Sequence, residues 1–326
     1  MTPERIKKLK LFANTGRKHI IEETHAAKSG HPGGSLGAMD YMIYLYNEEM
    51  HVDPANPLDP DRDRFVLSKG HCAPGLYSVL AQKGFFPEKD LLTLRKIGSY
   101  LQGHPNMNTT PGVDFSTGSL GQGYSAACGM ANAAKLMKKD LSVYALLGDG
   151  EIEEGLVWEA SEYAGHYHLD NLCIAVDVNG LQIDGWTKDV MNMEPIDKKF
   201  ASFGFNVVKI NGHDYEELEK AFAAFHASKG SGRPTAILMK TVKGQGVSYM
   251  EDVAGWHGKG PNDEECAQAL AEIAAVRRMI ESGEEAGTAY PSSRPMMDRI
   301  KEIEAAESSG GAAPAGSPTG KQGREA

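Results

Sequence analysis

Four carboxylates, Asp149, Glu151, Glu153 and Glu154, fall within six residues of the stretch LLGDGEIEEG. Held that close they repel one another unless water or a positive charge lies among them. An apolar run leads into Gly148-Asp149-Gly150, and the flanking glycines let an anionic ligand approach the backbone. A second apolar run ends in another polar loop, DVNGLQIDG, from Asp177 to Gly185. Asp149 and Asn179 are 30 residues apart, about the length of one strand-end, helix and strand unit, so neighbouring strands bring the two side chains together. One anionic and one neutral oxygen, with carbonyls of the turn, suit a hard divalent cation such as Mg²⁺.

Rival patterns fit these loops poorly. GDGEIEEG is not a dinucleotide fingerprint, because Glu153 holds the third glycine position, and GQGYSA matches the G/A form without a preceding strand. DVNGLQ begins like a calcium loop, yet Leu181 stands where an oxygen ligand is needed. Either loop alone reads equally well as a solvated strand-end turn; the pair at this spacing points to a metal.

Four of the eleven histidines share one kind of setting, loops rich in glycine or flanked by proline. They are His31 in SGHPGGSLG, His71 in SKGHCAPG, His104 in LQGHPNM and His257 in GWHGKG. A lone loop histidine is usually surface decoration. Four together point to a shared polar site, where an imidazole that titrates near neutrality can donate or accept a proton.

The elements that must position these residues are legible from periodicity. Arg5 to Ala27 carries apolar residues at helical spacing, and Leu36 to Glu49 reads as a second helix. Five short apolar runs follow, RFVLS, SVYALLGDG, NLCIAVDVNG, FNVVKING and PTAILMKTVKG, separated by helix-like sequence such as Ala160 to His168 and Tyr215 to His226. Runs apolar on both faces predict buried parallel strands, hence an α/β fold with a doubly wound sheet. In such a sheet ligands bind beyond the carboxyl ends of the strands, where both polar loops fall.

Composition narrows the class. At 326 residues and 41% hydrophobic, the chain can bury one large core or two modest ones. Its net charge of -10, with no dense basic run, argues against nucleic acid as a partner. Cys72, Cys128, Cys173 and Cys266 are scattered, with no C-x-x-C pair and no secretory leader, as in a reducing cytoplasm. No apolar stretch approaches the roughly 20 residues that span a bilayer, so a soluble protein without a membrane partner is expected. From Ser308 onward SSGGAAPAGSPTGKQGREA is small, polar and broken by Gly and Pro, and is expected to be disordered.

Taken in order, SGHPG, LSKGH, GHP, GSLGQG, GDGEIEEG, DVNGLQIDG and WHG resemble the first half of transketolase, a thiamine-diphosphate enzyme, over roughly Arg5 to Glu281. The resemblance implies the thiamine-diphosphate-binding fold, with a diphosphate- and Mg²⁺-binding domain over 1–285 and a C-terminal segment over 286–326. It implies that Asp149, Asn179 and the Leu181 carbonyl hold Mg²⁺, with Ca²⁺ or Mn²⁺ as substitutes. His71, Gly118, Leu120, Gly121, Gly148, Gly150, Glu154 and His257 would adjoin thiamine diphosphate, with backbone N–H groups of Gly118 to Gly123 near its phosphates. His31 and His257 would handle the donor's hydroxyl proton and developing alkoxide. His104 would bind the hydroxyl at the transferred end, and His71 would lie between that end and the diphosphate. Glu154 would face the cofactor's other half-site, leaving Glu151 and Glu153 as a solvated face.

The implied reaction is transfer of a two-carbon ketol unit between sugar phosphates of the pentose phosphate pathway, the cofactor supplying the electron sink. Transketolases usually continue into a pyrimidine-binding domain whose glutamate activates the cofactor, whereas here the sequence stops in the polar tail. A split enzyme is therefore expected, whose partner is a C-terminal transketolase subunit in an α2β2 heterotetramer. Ser119 stands where many members have proline. A non-catalytic cofactor-binding scaffold, a 1-deoxyxylulose-5-phosphate synthase type and the α subunit of a 2-oxoacid dehydrogenase remain alternatives, which the SGHPG, SKGH and WHG set disfavours.

Overall fold

All five apolar runs become strands of one parallel sheet, β1 (Arg64–Leu67), β2 (Val143–Gly148), β3 (Leu172–Val178), β6 (Asn206–Asn211) and β7 (Thr235–Lys240). Their order is β1-β2-β3-β7-β6. A two-residue hairpin, β4 (Leu181–Gln182) against β5 (Gly185–Trp186), hangs from the end of β3. The coordinates are a computed structural model and describe residues 1–293. The tail expected from Ser308 lies outside the described residues.

The helices, in chain order, are α1 (Pro3–Ala27), α2 (Pro32–Gly37), α3 (Met39–Tyr44), α4 (Ala73–Lys83), α5 (Gln122–Leu136), α6 (Gly155–His166), α7 (Thr187–Val190), α8 (Ile196–Ser202), α9 (Tyr215–Ser228) and α10 (Asp263–Ser282). Alternate strand residues serve two cores, which is why the runs lack a polar face. Tyr144, Leu146, Cys173, Ala175, Ile237 and Met239 pack with α1, α3, α4, α9 and α10 on one side. Val143, Ala145, Leu147, Ile174, Val176 and Leu238 pack with α5, α6 and α8 on the other. The edge strand β6 is the exception, with Val207 and Val208 only half-buried.

One expected element differs. The helix expected over Leu36 to Glu49 is three pieces, α2, α3 and a wide π turn at Leu45–Glu49. The break falls at Ala38, just after Gly37 passes so near the backbone that a Cβ there would sit 2.9 Å from the Val242 carbonyl oxygen. Residues just beyond 285 also contact the body. Asn14 Nδ2 donates to the Tyr290 hydroxyl at 3.0 Å, the Arg17 guanidinium lies over the Tyr290 ring, and the Ser293 N–H donates to Glu251 Oε1. A buried aromatic that closes the α1–α10 side draws the chain back, so 286–293 belongs to this body.

The four cysteines are free and buried. Among the described residues no helix is long and apolar enough to cross a membrane.

Glu23, on α1, is fully buried and neither carboxylate oxygen has a hydrogen-bond partner. Burial holds its carboxyl well above the ordinary value, so the native state keeps a proton that the unfolded chain releases. Its contribution to stability is therefore intact below the unfolded value near 4.5 and is lost as pH rises toward the elevated folded value. Each unit of elevation is worth about 1.4 kcal/mol. Glu23→Gln should accordingly raise the melting temperature more at pH 8 than at pH 5, and thermal unfolding at the two pH values checks it. An equal shift at both would mean that Glu23 is ionised in the folded protein.

Candidate active site

Four adjacent strands deliver side chains to one cleft of about 250 Å³ beyond their carboxyl ends. Lys69 follows β1, Asp149 follows β2, Asn179 follows β3 and Lys243 follows β7. The β2–β3 register pairs Gly148 with Asp177, which sets the two polar loops side by side. The Gly180 N–H donates to Asp149 Oδ2, and the Gly150 N–H donates to Asp149 Oδ1 at 2.9 Å. Asn179 gives its Nδ2 to Asp177 Oδ2 at 3.0 Å, which fixes the amide with Oδ1 as acceptor toward the Leu181 N–H.

The acids on this floor have separate fates. Asp177, fully buried, pairs with Lys69 and accepts from Thr241 Oγ1. Burial opposes both charges of that pair, yet each outweighs it for the other, so Asp177 stays below and Lys69 above its ordinary value. Asp149 is left without a cation in contact among the described residues. Burial, and then the Asp177 charge, push its carboxyl up to about 7. A buried carboxylate that resists ionisation until positive charge arrives is the electrostatic complement of a divalent ion. Asp149, Asn179 and Leu181 all line the cleft, and their hard oxygen donors fit Mg²⁺. Among the described residues no three His, Cys, Asp or Glu side chains gather as a metal cluster. One carboxylate among neutral oxygens therefore needs further anionic oxygens, as a diphosphate would bring.

Glu151 corrects an expectation. It is only 2% exposed, and it accepts from Ser68 Oγ, from the Gly121 N–H at 2.9 Å and from the Gly148 N–H at 3.0 Å. Far from solvated, it staples the end of β1 and the turn before α5 to the end of β2. Three donors meet its charge, as burial requires. The Gly121 N–H is engaged by Glu151, and Gly121, outside the cleft lining, turns the chain at φ 80°. Gly118 and Leu120 do line the cleft, as do Gly148 and Gly150. Glu153 is half-buried and accepts from Gln182 Nε2 at 2.8 Å, while Glu154 is exposed at the start of α6, outside the cleft lining.

All four singled-out histidines meet above this floor. Ring centroids lie 5.3 Å apart for His31 and His71, 6.2 Å for His31 and His104, 5.4 Å for His31 and His257, and 4.9 Å for His71 and His257. His31 immediately precedes α2, with Pro32 in its first turn. His71 lies in a single 3₁₀ turn that runs into α4. Crowded imidazoles next to cations cannot charge. Burial and then Arg95 lower His31 to about 4, and burial and then Lys243 lower His257 to about 3. Burial and then Lys69 hold His71 well below its ordinary value, and burial and then Arg95 lower His104. Neutral rings hold one lone pair and one N–H each, the equipment for moving a proton.

Sequence reasoning missed Lys69, Asp177 and Lys243. Both lysines carry a common signal, an apolar run ending in Lys-Gly, as in LSKG and TVKG. Arg95 also escaped notice. It adopts φ 59° and donates from Nη1 to Ser29 Oγ at 3.2 Å. A Cβ on Gly103 would come within 2.7 Å of its guanidinium carbon, so that glycine makes room for the cation beside the histidines.

Comparison with known proteins identifies the family. The family profile described as "Transketolase, thiamine diphosphate binding domain" matches residues 8–276. The 6-deoxy-6-sulfo-D-fructose transketolase subunit SqwG of Clostridium sp. (strain MSTE9) is 42% identical over 261 residues, covering 80% of this chain and 94% of that one. An apulose-4-phosphate transketolase subunit of Phocaeicola vulgatus is 40% identical over 268 residues, covering 82% and 94%. The solved transketolase from Leishmania mexicana superposes with a TM-score of 0.76 at 32% identity, over 93% of this chain but 48% of its own. The chain thus spans about half the length of that solved enzyme and nearly all of the two separate subunits.

Proposed function

This chain belongs to the family of transketolase thiamine-diphosphate-binding domains, and from that starting point we propose that it is the diphosphate-binding subunit of a split transketolase. The observation that carries the proposal is the convergence of four neutral histidines over a floor of hard oxygen donors, in a chain that covers 94% of each of two relatives named as transketolase subunits. Bound in the cleft, thiamine diphosphate supplies the electron sink for a two-carbon unit. Asp149, Asn179 and the Leu181 carbonyl hold the Mg²⁺ that accompanies the diphosphate. His31, neutral and with Nδ1 buried and unpartnered, takes the hydroxyl proton of the donor sugar. His257 steadies the oxygen that gains charge, and His104 and His71 orient the transferred end. The neutral imidazoles add no net charge to the reacting end.

A carboxylate that activates the cofactor's aminopyrimidine is still required. The buried acids on this floor, Asp149, Asp177 and Glu151, are all committed to other groups, and the exposed Glu154 faces outward, where a partner would complete the site. Both subunit-named relatives share the half-length format, which supports a C-terminal partner subunit. With sites formed where the halves meet, we take the assembly to be an α2β2 heterotetramer. The buried free thiols fit a cytoplasmic enzyme.

Purified alone with Mg²⁺, thiamine diphosphate, xylulose 5-phosphate and ribose 5-phosphate, the chain should not turn over; activity should appear when the product of a neighbouring gene is added. Turnover by the isolated chain near an ordinary enzyme rate of roughly 10 s⁻¹ would overturn the split reading.

A further inference from the structure

Lys243 is buried to 2% exposure, and its ammonium lies between two components of the site. Nζ is 2.9 Å from His257 Nδ1 and 3.3 Å from the Leu181 carbonyl oxygen. An ammonium has three donors and no lone pair, so His257 Nδ1 must accept from it. In a neutral ring the single proton is then on Nε2. We infer that Lys243 is a positioning residue that locks His257 in the Nε2-protonated tautomer and so makes it a hydrogen-bond donor to substrate oxygen, leaving proton acceptance to His31.

The backbone carrying Lys243 is built to hold that side chain still. The Val242 N–H donates to His213 Nε2 at 2.9 Å, and His213 Nδ1 lies 2.8 Å from Asp40 Oδ2, itself paired with Arg17. On the other flank the Gly244 N–H donates to the Gly33 carbonyl at 2.9 Å, and the Asp252 N–H donates to the Lys243 carbonyl at 2.9 Å. Gly33 and Gly37 allow the approach. A Cβ on Gly33 would lie 3.3 Å from Lys243 Cγ, and one on Gly37 would lie 3.5 Å from Lys243 Cα. Segment 242–244 is therefore fixed from both sides, and it runs beneath the turn that carries His31. One lysine thereby ties the loop holding His257 to the loop ending at Leu181, beyond the paired ends of β7 and β3.

The donor role of His257 rests on the transketolase reading, but the tautomer does not, so the test uses the full chain alone, without cofactor or substrate. Histidine-selective ¹⁵N labelling and long-range ¹H–¹⁵N correlation report which ring nitrogen bears the proton, and His257→Gln assigns the signal by its loss. Wild type should show His257 as a single Nε2–H tautomer near neutral pH. Lys243→Met should shift the His257 nitrogen signals toward a mixture of tautomers, and Lys243→Arg should restore them in whole or part, with the other histidine signals unmoved. A wild-type His257 protonated on Nδ1, or a folded Lys243→Met chain with an unchanged Nε2–H signal, would overturn the inference. Should Lys243→Met fail to fold, a wild-type His257 protonated on Nδ1 would still overturn the inference, and Lys243→Arg with an unchanged Nε2–H signal would support it. In contrast, a wild-type Nε2–H tautomer in a chain that never forms an active complex would count against the enzyme reading only.

Discussion

Replacing His31 or His257 by alanine in the assembled enzyme should cut turnover by about 10²–10⁴, the usual cost of removing a general acid or base. Thiamine-diphosphate affinity should change far less. The asymmetry follows from where the rings sit: both stand with His71 above the cleft, whereas the oxygen donors for the cation lie on its floor. An interaction made mainly in the transition state lowers kcat and kcat/KM together. The lowered values also fix the sign of the pH dependence. His31 and His257 keep their neutral forms as pH falls to about 4 and about 3 respectively, so neither should generate an acid limb near pH 6 in the wild-type profile. Steady-state kinetics across pH decides both points. Near-wild-type turnover in both variants would remove these histidines from the chemistry.

Asp149→Ala should weaken Mg²⁺-dependent binding of thiamine diphosphate by at least about 10²-fold, since even a residue behind a metal ligand typically costs 10–100-fold. Among the described residues Asp149 has no cation in contact, whereas Asp177 is paired with Lys69 and Glu151 is met by Ser68 and two backbone N–H groups. Its two oxygens each accept one backbone N–H, from Gly150 and Gly180, so alanine also frees the two turns. Asp149→Asn separates these effects, because the amide keeps an acceptor for the turn but lacks the charge. Asn179→Ala should lose affinity in the same direction, as it removes a neutral oxygen. Titration calorimetry of the assembled complex with and without Mg²⁺ measures all three. Unchanged affinity in both alanine variants would refute the metal assignment, and an Asp149→Asn variant that binds like wild type would show that turn geometry rather than charge was lost.

The strand runs and the two polar loops could be read from the chain because they depend on local pattern. A strand that feeds two cores must be apolar throughout, and a loop at its carboxyl end must be polar and flexible, so SVYALLGDG and NLCIAVDVNG announce both. The 30-residue spacing of Asp149 and Asn179 translates into contact because β2 and β3 are neighbours, as consecutive strands often are. The histidine loops were recognisable by composition; the sheet brings His71 and His257, which follow β1 and β7, to one edge, while His31 and His104 reach them from the turn before α2 and from the segment between α4 and α5.

The strands and helices, the metal-type loops and the four histidines were thus legible residue by residue, each being a property of a short stretch. Which charges would be buried against which was settled by the packing of the whole chain. Glu151 and Glu154 are three residues apart in one acidic run, yet the first is buried against Ser68, Gly121 and Gly148 while the second faces outward. Lys69 and Asp177, 108 residues apart, neutralise each other, and Lys243 and Leu181, 62 apart, share a hydrogen bond. Local pattern carries no record of such partners. Charge burial depends on which strand ends and loops the whole sheet brings together, and those neighbours decide whether an acid costs stability, binds a cation or holds two loops in place.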